Sequence, residues 1–302
     1  MINEIIVNGF LNGLIYALLS LGFTLIYGYS GLLNLAHGAF FVIGAYIFSS
    51  LASLLYLSMI FGHSYLPVTI SLILTPLLTG LIGAAYYKVT LSPLIGDELS
   101  ILIVSSSACI IFQQILWLIF GSVKAMQFSV PPIVEGNTSI LGVHVSNNLL
   151  VSAALSTVLF ILMSLFISKT KIGRSMKALS QDVEAAMLMG VNRERIYTLT
   201  VFLSGVLASL GGIFITCSTS RFTSVYGWLE PLAISYAIVI LGGIGNIIGT
   251  IFGGLLFGYA TTIVSRLFPR GGALVPAVPF FILIFILIIR PKGLLGKRVE
   301  ME

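Results

Sequence analysis

Between Ile5 and Tyr87 the chain carries no Asp, Glu, Lys or Arg. A soluble domain cannot leave so long an interval uncharged, but a bilayer requires it: the interval has room for three spans of about 20 residues each. The rest of the 302 residues continues the pattern, with 58% hydrophobic and 8% charged residues. Ten-residue segments of alternating polarity are absent, which argues against a β-barrel. In lipid, backbone polar groups then have to be satisfied within helices. The expectation is an all-α, polytopic helical membrane bundle of eight to nine segments, forming one transmembrane domain over 1–302.

Nine apolar segments can be marked, at 5–27, 38–61, 66–88, 99–121, 149–168, 197–217, 232–247, 249–265 and 275–290. The first is long enough to span and Met1 to Glu4 has no Lys or Arg, so a cleavable signal peptide is not expected. The basic residues orient the segments. Lys88, the interval 169–196 and the tail (Arg290, Lys292, Lys297, Arg298) fall on one side, against Lys124, Arg221, Arg266 and Arg270 on the other. Basic residues collect on the cytoplasmic side, which predicts an external N-terminus and a cytoplasmic C-terminus. The net charge of +5 therefore reflects topology, and no nucleic-acid partner is expected.

The longest polar interval runs from Ser168 to Tyr197. It is expected to form a cytoplasmic helix capped by Ser180, with Asp182 and Glu184 in its first turn and Arg193 and Arg195 near its end. Val183, Met187 and Val191 would form an apolar stripe, while Ala185, Ala186 and Gly190 keep the remaining surface small. Two readings are open: a helix seated in a groove of a soluble partner, or an amphipathic linker on the membrane surface.

Two other intervals are broken by glycine. Gly242-Gly243-Ile244-Gly245-Asn246 divides 232–265, which suggests two short helices meeting at a tight turn, although glycines that only let helices pack closely give the same pattern. Near the start, Gly28, Gly31, Asn34, His37 and Gly38 interrupt a similar apolar run, a loose internal pseudo-repeat. His37 is either a proton relay or an interfacial histidine bonded to a nearby carbonyl. The connection 122–148 is expected to be an external loop. Cys109 and Cys217 read as packing residues.

No phosphate-binding loop, metalloprotease pair or nucleophile elbow occurs, so enzyme chemistry is not expected and no metal or cofactor site is read in this chain. With so little intramembrane charge, energy for any transport has to come from outside this subunit.

Three stretches carry a resemblance: NGFLNGLIYALLSLGFTLIYGYSGLLNLAHGAFFVIGAY, EAAMLMGVNRERIYTLTVFLSGVLASLGGIF, and ILGGIGNIIGTIFGGLLFGY followed by RPKGLLG. In this order they resemble the branched-chain amino-acid ABC transporter permease family, of the Liv H type. The resemblance implies a second homologous permease subunit, two cytoplasmic ATPase subunits that bind ATP and Mg, and an external solute-binding protein delivering Leu, Ile or Val. It also implies ATPase coupling through Glu184, Ala185, Ala186 and Gly190. Asn34, His37, Gly38, Gly242, Gly243, Gly245 and Asn246 are candidates for the substrate path. Urea, amides or other amino acids on the same architecture are alternative substrates, and an ATP-independent facilitator for a small neutral solute is a reading from another class.

Overall fold

The structure is a computed structural model that describes residues 2–57, 66–121, 132–219, 227–268 and 271–289. Of the basic residues used to orient the segments, Lys124, Arg221, Arg270 and the tail from Arg290 lie outside these residues. The uncharged opening interval supplies three helices, α1 (Ile2–Ser30), α2 (His37–Leu57) and α3 (Leu66–Tyr86). The last continues through a π-helical turn at Tyr87–Leu91 and a 3₁₀ turn at Ser92–Leu94, six residues past the expected end at 88. Asp97 caps α4 (Glu98–Phe120) by accepting a hydrogen bond from the Ser100 amide.

There follow α5 (Asn147–Lys169), two short helices, α6 (Lys171–Gln181) and α7 (Val183–Leu188), then α8 (Arg193–Thr219). The final third holds α9 (Leu229–Gly242), α10 (Ile247–Leu267), α11 (Gly271–Leu274) and α12 (Val278–Ile289). Among the described residues seven helices are long and apolar enough to cross a membrane, and α9 and the stretch leading into α12 are shorter apolar helices. This is a polytopic helical membrane protein, with the expected number of segments.

One element departs from an all-helical chain. Within the connection 122–148, Asn137–Ile140 (β1) and Val143–Ser146 (β2) pair antiparallel. Leu141 and Gly142 both have positive φ, the backbone that a two-residue hairpin turn needs. His144 is exposed on β2, while Val143 and Val145 are buried. The Asn3 side chain donates to the Leu141 carbonyl at 3.0 Å, so the hairpin sits at the Ile2 end of α1. Arg266, at the end of α10, meets Glu4 at 3.7 Å there. The hairpin shares its end of the bundle with the N-terminus.

The core is built around α1 and α8, which are buried over most of their length. Small residues make this possible. Alanine or larger cannot stand at Gly13, Gly254 or Gly258, where a Cβ would meet the facing α1 or α10 backbone at 2.4 to 2.8 Å. Helices can approach this closely only where side chains are absent, and in lipid such close packing replaces the hydrophobic drive. Thr24 and Thr250 add a buried hydroxyl contact of 2.8 Å across the same pair. Cys109 and Cys217 are both buried and form no disulfide, as packing residues should.

Candidate functional site

The polar interval folds as an elbow of two helices rather than one. Thr170, not Ser180, begins it: the Thr170 hydroxyl accepts from the Gly173 amide at 3.1 Å, while Ser180 lies near the end of α6 and donates back to the Lys177 carbonyl. Asp182 then caps α7 by accepting from the Ala185 amide at 2.9 Å. A carboxylate binds these orphan amides better than a hydroxyl near the end of a preceding helix can. At the far end Gly190 takes φ +86°, and the Val191 amide returns to the Ala186 carbonyl, which closes α7 in a left-handed cap. Asn192 caps α8 through the Arg195 amide. Arg193 and Arg195 therefore stand in the first turn of α8, not at the end of the coupling helix as expected.

The faces of the elbow are assigned by burial. Gly173, Met176 and Leu179 of α6 are buried, and so is Ala186 of α7. Val183 and Val191 pack on the same core, but Met187, the middle of the expected stripe, points outward. The six-residue length of α7 explains this: Ala186 at i+3 from Val183 follows the core, and the chain turns at Gly190 before the stripe can continue. Glu184, Ala185 and Gly190 are exposed. Leu188 and Met189 are exposed to 89% and 85%, more than any large apolar side chain of the described spans. Beside them lies a cleft of about 440 Å³ lined by Met187, Gly190, Asn192 and Glu194. A second, of about 560 Å³, continues to Lys88 on the turn after α3. Lys88 thus belongs to this end of the bundle, on the side where the distribution of basic residues puts it.

The two glycine-broken intervals occupy different levels. After Ser30 the chain turns at Gly31, with φ +67°, and runs back into the bundle. The Leu35 amide donates to the Ser105 hydroxyl of α4 at 3.2 Å. Asn34 is fully buried, accepting from the Ala36 amide through Oδ1. His37 opens α2 inside the protein, fully buried, with Nε2 at 3.2 Å from the Leu19 carbonyl and Nδ1 at 2.9 Å from the Ser204 hydroxyl. A carbonyl can only accept, so Nε2 donates, and a neutral ring then accepts from Ser204. This is the carbonyl-bonded histidine, though buried rather than interfacial. Gly38 lies against the start of α9, where a Cβ would come within 2.3 Å of the Trp228 carbonyl.

Gly242, Gly243, Gly245 and Asn246 form the turn between α9 and α10. Gly243 and Gly245 have φ +94° and +75°, and Asn246 caps α10 by accepting from the Gly249 amide at 3.0 Å. The turn lies at the Ser30 end of α1, where Gly245 touches Gly28. Only α9 is short, since α10 is long enough to span. The structure thus places Asn34, His37 and Gly38 deep between α1, α4, α8 and α9, and the Gly242–Asn246 turn at one end.

The whole arrangement, from α1 into α12, matches one family model. The model for the branched-chain amino acid transport system permease component covers residues 5–287. The chain belongs to that permease family. It is 30% identical to the high-affinity branched-chain amino acid transport system permease protein BraD of Pseudomonas aeruginosa, over 98% of this chain and 96% of the relative. It is 27% identical to LivH of Escherichia coli, over 98% and 95% of the two chains. A shorter match, 30% identical over 32% of this chain, joins it to the ribose import permease protein RbsC of Haemophilus influenzae. No solved structure matches the chain. As a member of this family the protein is a multi-pass permease component of a cell-membrane transport system.

Proposed function

We propose that the chain is a permease subunit of an ATP-driven importer for leucine, isoleucine and valine. A second, homologous permease subunit would complete the path. An external solute-binding protein would deliver the amino acid, and two cytoplasmic ATPase subunits, which bind the ATP and Mg, would drive the cycle. The substrate class rests on relatives that are matched from end to end and that carry branched-chain amino acid transport in their names.

The observation that carries the mechanism is the elbow. Leu188 and Met189 are displayed on a capped single turn beside exposed Glu184, Ala185 and Gly190, at the end of the bundle that holds Lys88, Lys169, Lys171, Arg174, Lys177, Arg193 and Arg195. That end is the cytoplasmic one by the distribution of basic residues, and the N-terminus with the hairpin is external. An apolar knob rimmed by charge is the composition of a docking surface, not of a loop left in water. Ala186 holds the knob to the bundle from behind, so a partner meets Glu184 and Ala185 on the open face. Through Asn192 the elbow runs directly into α8, which packs against α1, α2 and α3. Movement of docked ATPases would then shift α8 and bias the bundle between inward-open and outward-open states.

The test is uptake of radiolabelled leucine by proteoliposomes holding the assembled transporter, with binding protein outside and ATP inside or omitted. ATP-dependent accumulation of leucine, competed by isoleucine and valine and not by urea or acetamide, is the expected result. Leucine flux that equilibrates without ATP would replace the importer with a facilitator.

A further inference from the structure

Glu230 stands in the first turn of α9, and the contacts of the preceding Trp228 fix the depth of that turn. Trp228, which precedes α9, donates from Nε1 to the Gln113 side chain of α4 at 2.8 Å, and Gln113 lies well inside the 23-residue α4. The Trp228 carbonyl abuts Gly38, beside the buried His37. Glu230 itself lies within electrostatic reach of Tyr16, the middle residue of the 29-residue α1. Tyr16 is about 21 Å from either end of that helix. Further along, Phe23 meets Tyr236 with ring centroids 5.9 Å apart, and Gly28 meets Gly245. These pairs keep step, so α9 runs parallel to α1 over its second half. The start of α9 is therefore near the middle of the membrane.

Every other acid among the described residues lies at one end of the bundle. Glu4 and Glu135 are at the hairpin end, and Asp97, Glu98, Asp182, Glu184 and Glu194 are at the opposite end. Among the described residues Glu230 alone is at mid-depth. Among the described residues no Lys or Arg shares its level and none pairs with it; the ion pair between Arg266 and Glu4 is at the hairpin end. Its side chain is nonetheless open at the surface of this subunit, not packed away. A carboxylate in that position cannot face hydrocarbon cheaply, and intramembrane ionisable groups characteristically line a polar path and meet a partner of opposite charge.

We propose that Glu230 is a binding residue of the translocation path and that it receives the α-ammonium group of the amino acid in transit. The assignment rests on the importer reading above and sharpens it, since urea and amides have no cationic group and would make no use of this carboxylate. The ligand class is a zwitterionic amino acid, held here at its cationic end. The discontinuous start of α9 is what brings the carboxylate to mid-depth, as broken helices do for polar groups in other transport proteins.

The experiment compares wild type, Glu230→Gln and Glu230→Asp in proteoliposomes containing the complete transporter. Initial leucine uptake and ATP hydrolysis stimulated by leucine-loaded binding protein are read together. Glu230→Gln is expected to lower uptake about ten-fold or more, the loss of one charged contact. Glu230→Asp restores a substantial part of it, and stimulated ATP hydrolysis persists in both, which reports intact assembly. Glu230→Gln uptake within about two-fold of wild type, a smaller loss than removal of one charged contact gives, overturns the assignment, as does loss of stimulated hydrolysis in both variants, the sign of a structural role. A wild type that takes up no leucine overturns the importer reading itself.

Discussion

Gly28 of α1 lies so close to Gly245 that a Cβ on Gly28 would stand 2.4 Å from the Gly245 α-carbon. The contact joins the end of α1 to the turn between α9 and α10, and Gly245 also needs its φ of +75°. Gly28→Val should therefore separate the two elements at a cost of about 1–3 kcal/mol. A lower Tm of the purified protein in detergent checks this, with Gly272→Ala, in open space and without a positive φ, as a comparison.

His37 is predicted to be a structural histidine. Ser204→Ala leaves its buried Nδ1 without a donor and should cost about 1–3 kcal/mol. Replacing both residues, as His37→Phe with Ser204→Ala, removes the two polar groups together and should cost less than the sum of the single changes. Chemical denaturation of the four proteins completes the cycle.

The elbow depends on Asp182. Asp182→Ala removes the cap of α7 at about 1 kcal/mol, which raises local opening roughly five-fold. Hydrogen exchange should quicken at 183–190 and stay unchanged in α8, with little effect on Tm because the residue is exposed.

Much of this fold is legible in the sequence because a bilayer imposes its demands on every residue. The uncharged run from Ile5 to Tyr87 marks α1, α2 and α3, and the breaks at Gly31 and Gly243 fall where the chain turns. Less local features are harder to read. Ser180 and Asp182 are both acceptable caps, and only the packing of Met176 and Leu179 decides that a helix already occupies 171–181. The mid-depth position of Glu230 is hidden because a charge at the start of an apolar run reads as a helix end at the interface. Its depth follows from Trp228 meeting Gln113 and Gly38, contacts between residues far apart in sequence. The hairpin is illegible for a simpler reason: four-residue strands carry little periodicity.

The coupling surface is tested most directly by Leu188→Asp together with Met189→Asp. Both side chains are almost fully exposed, so the folded subunit and its Tm should be unaffected. The measurement is the initial rate of ATP-dependent leucine uptake in proteoliposomes, set beside recovery of the ATPase subunits with the affinity-purified permease. Charge placed in an apolar contact should release the ATPases and lower uptake by about two orders of magnitude, a loss in the range of an interface hot spot. Uptake at the wild-type rate with the ATPases still bound would contradict coupling through the elbow.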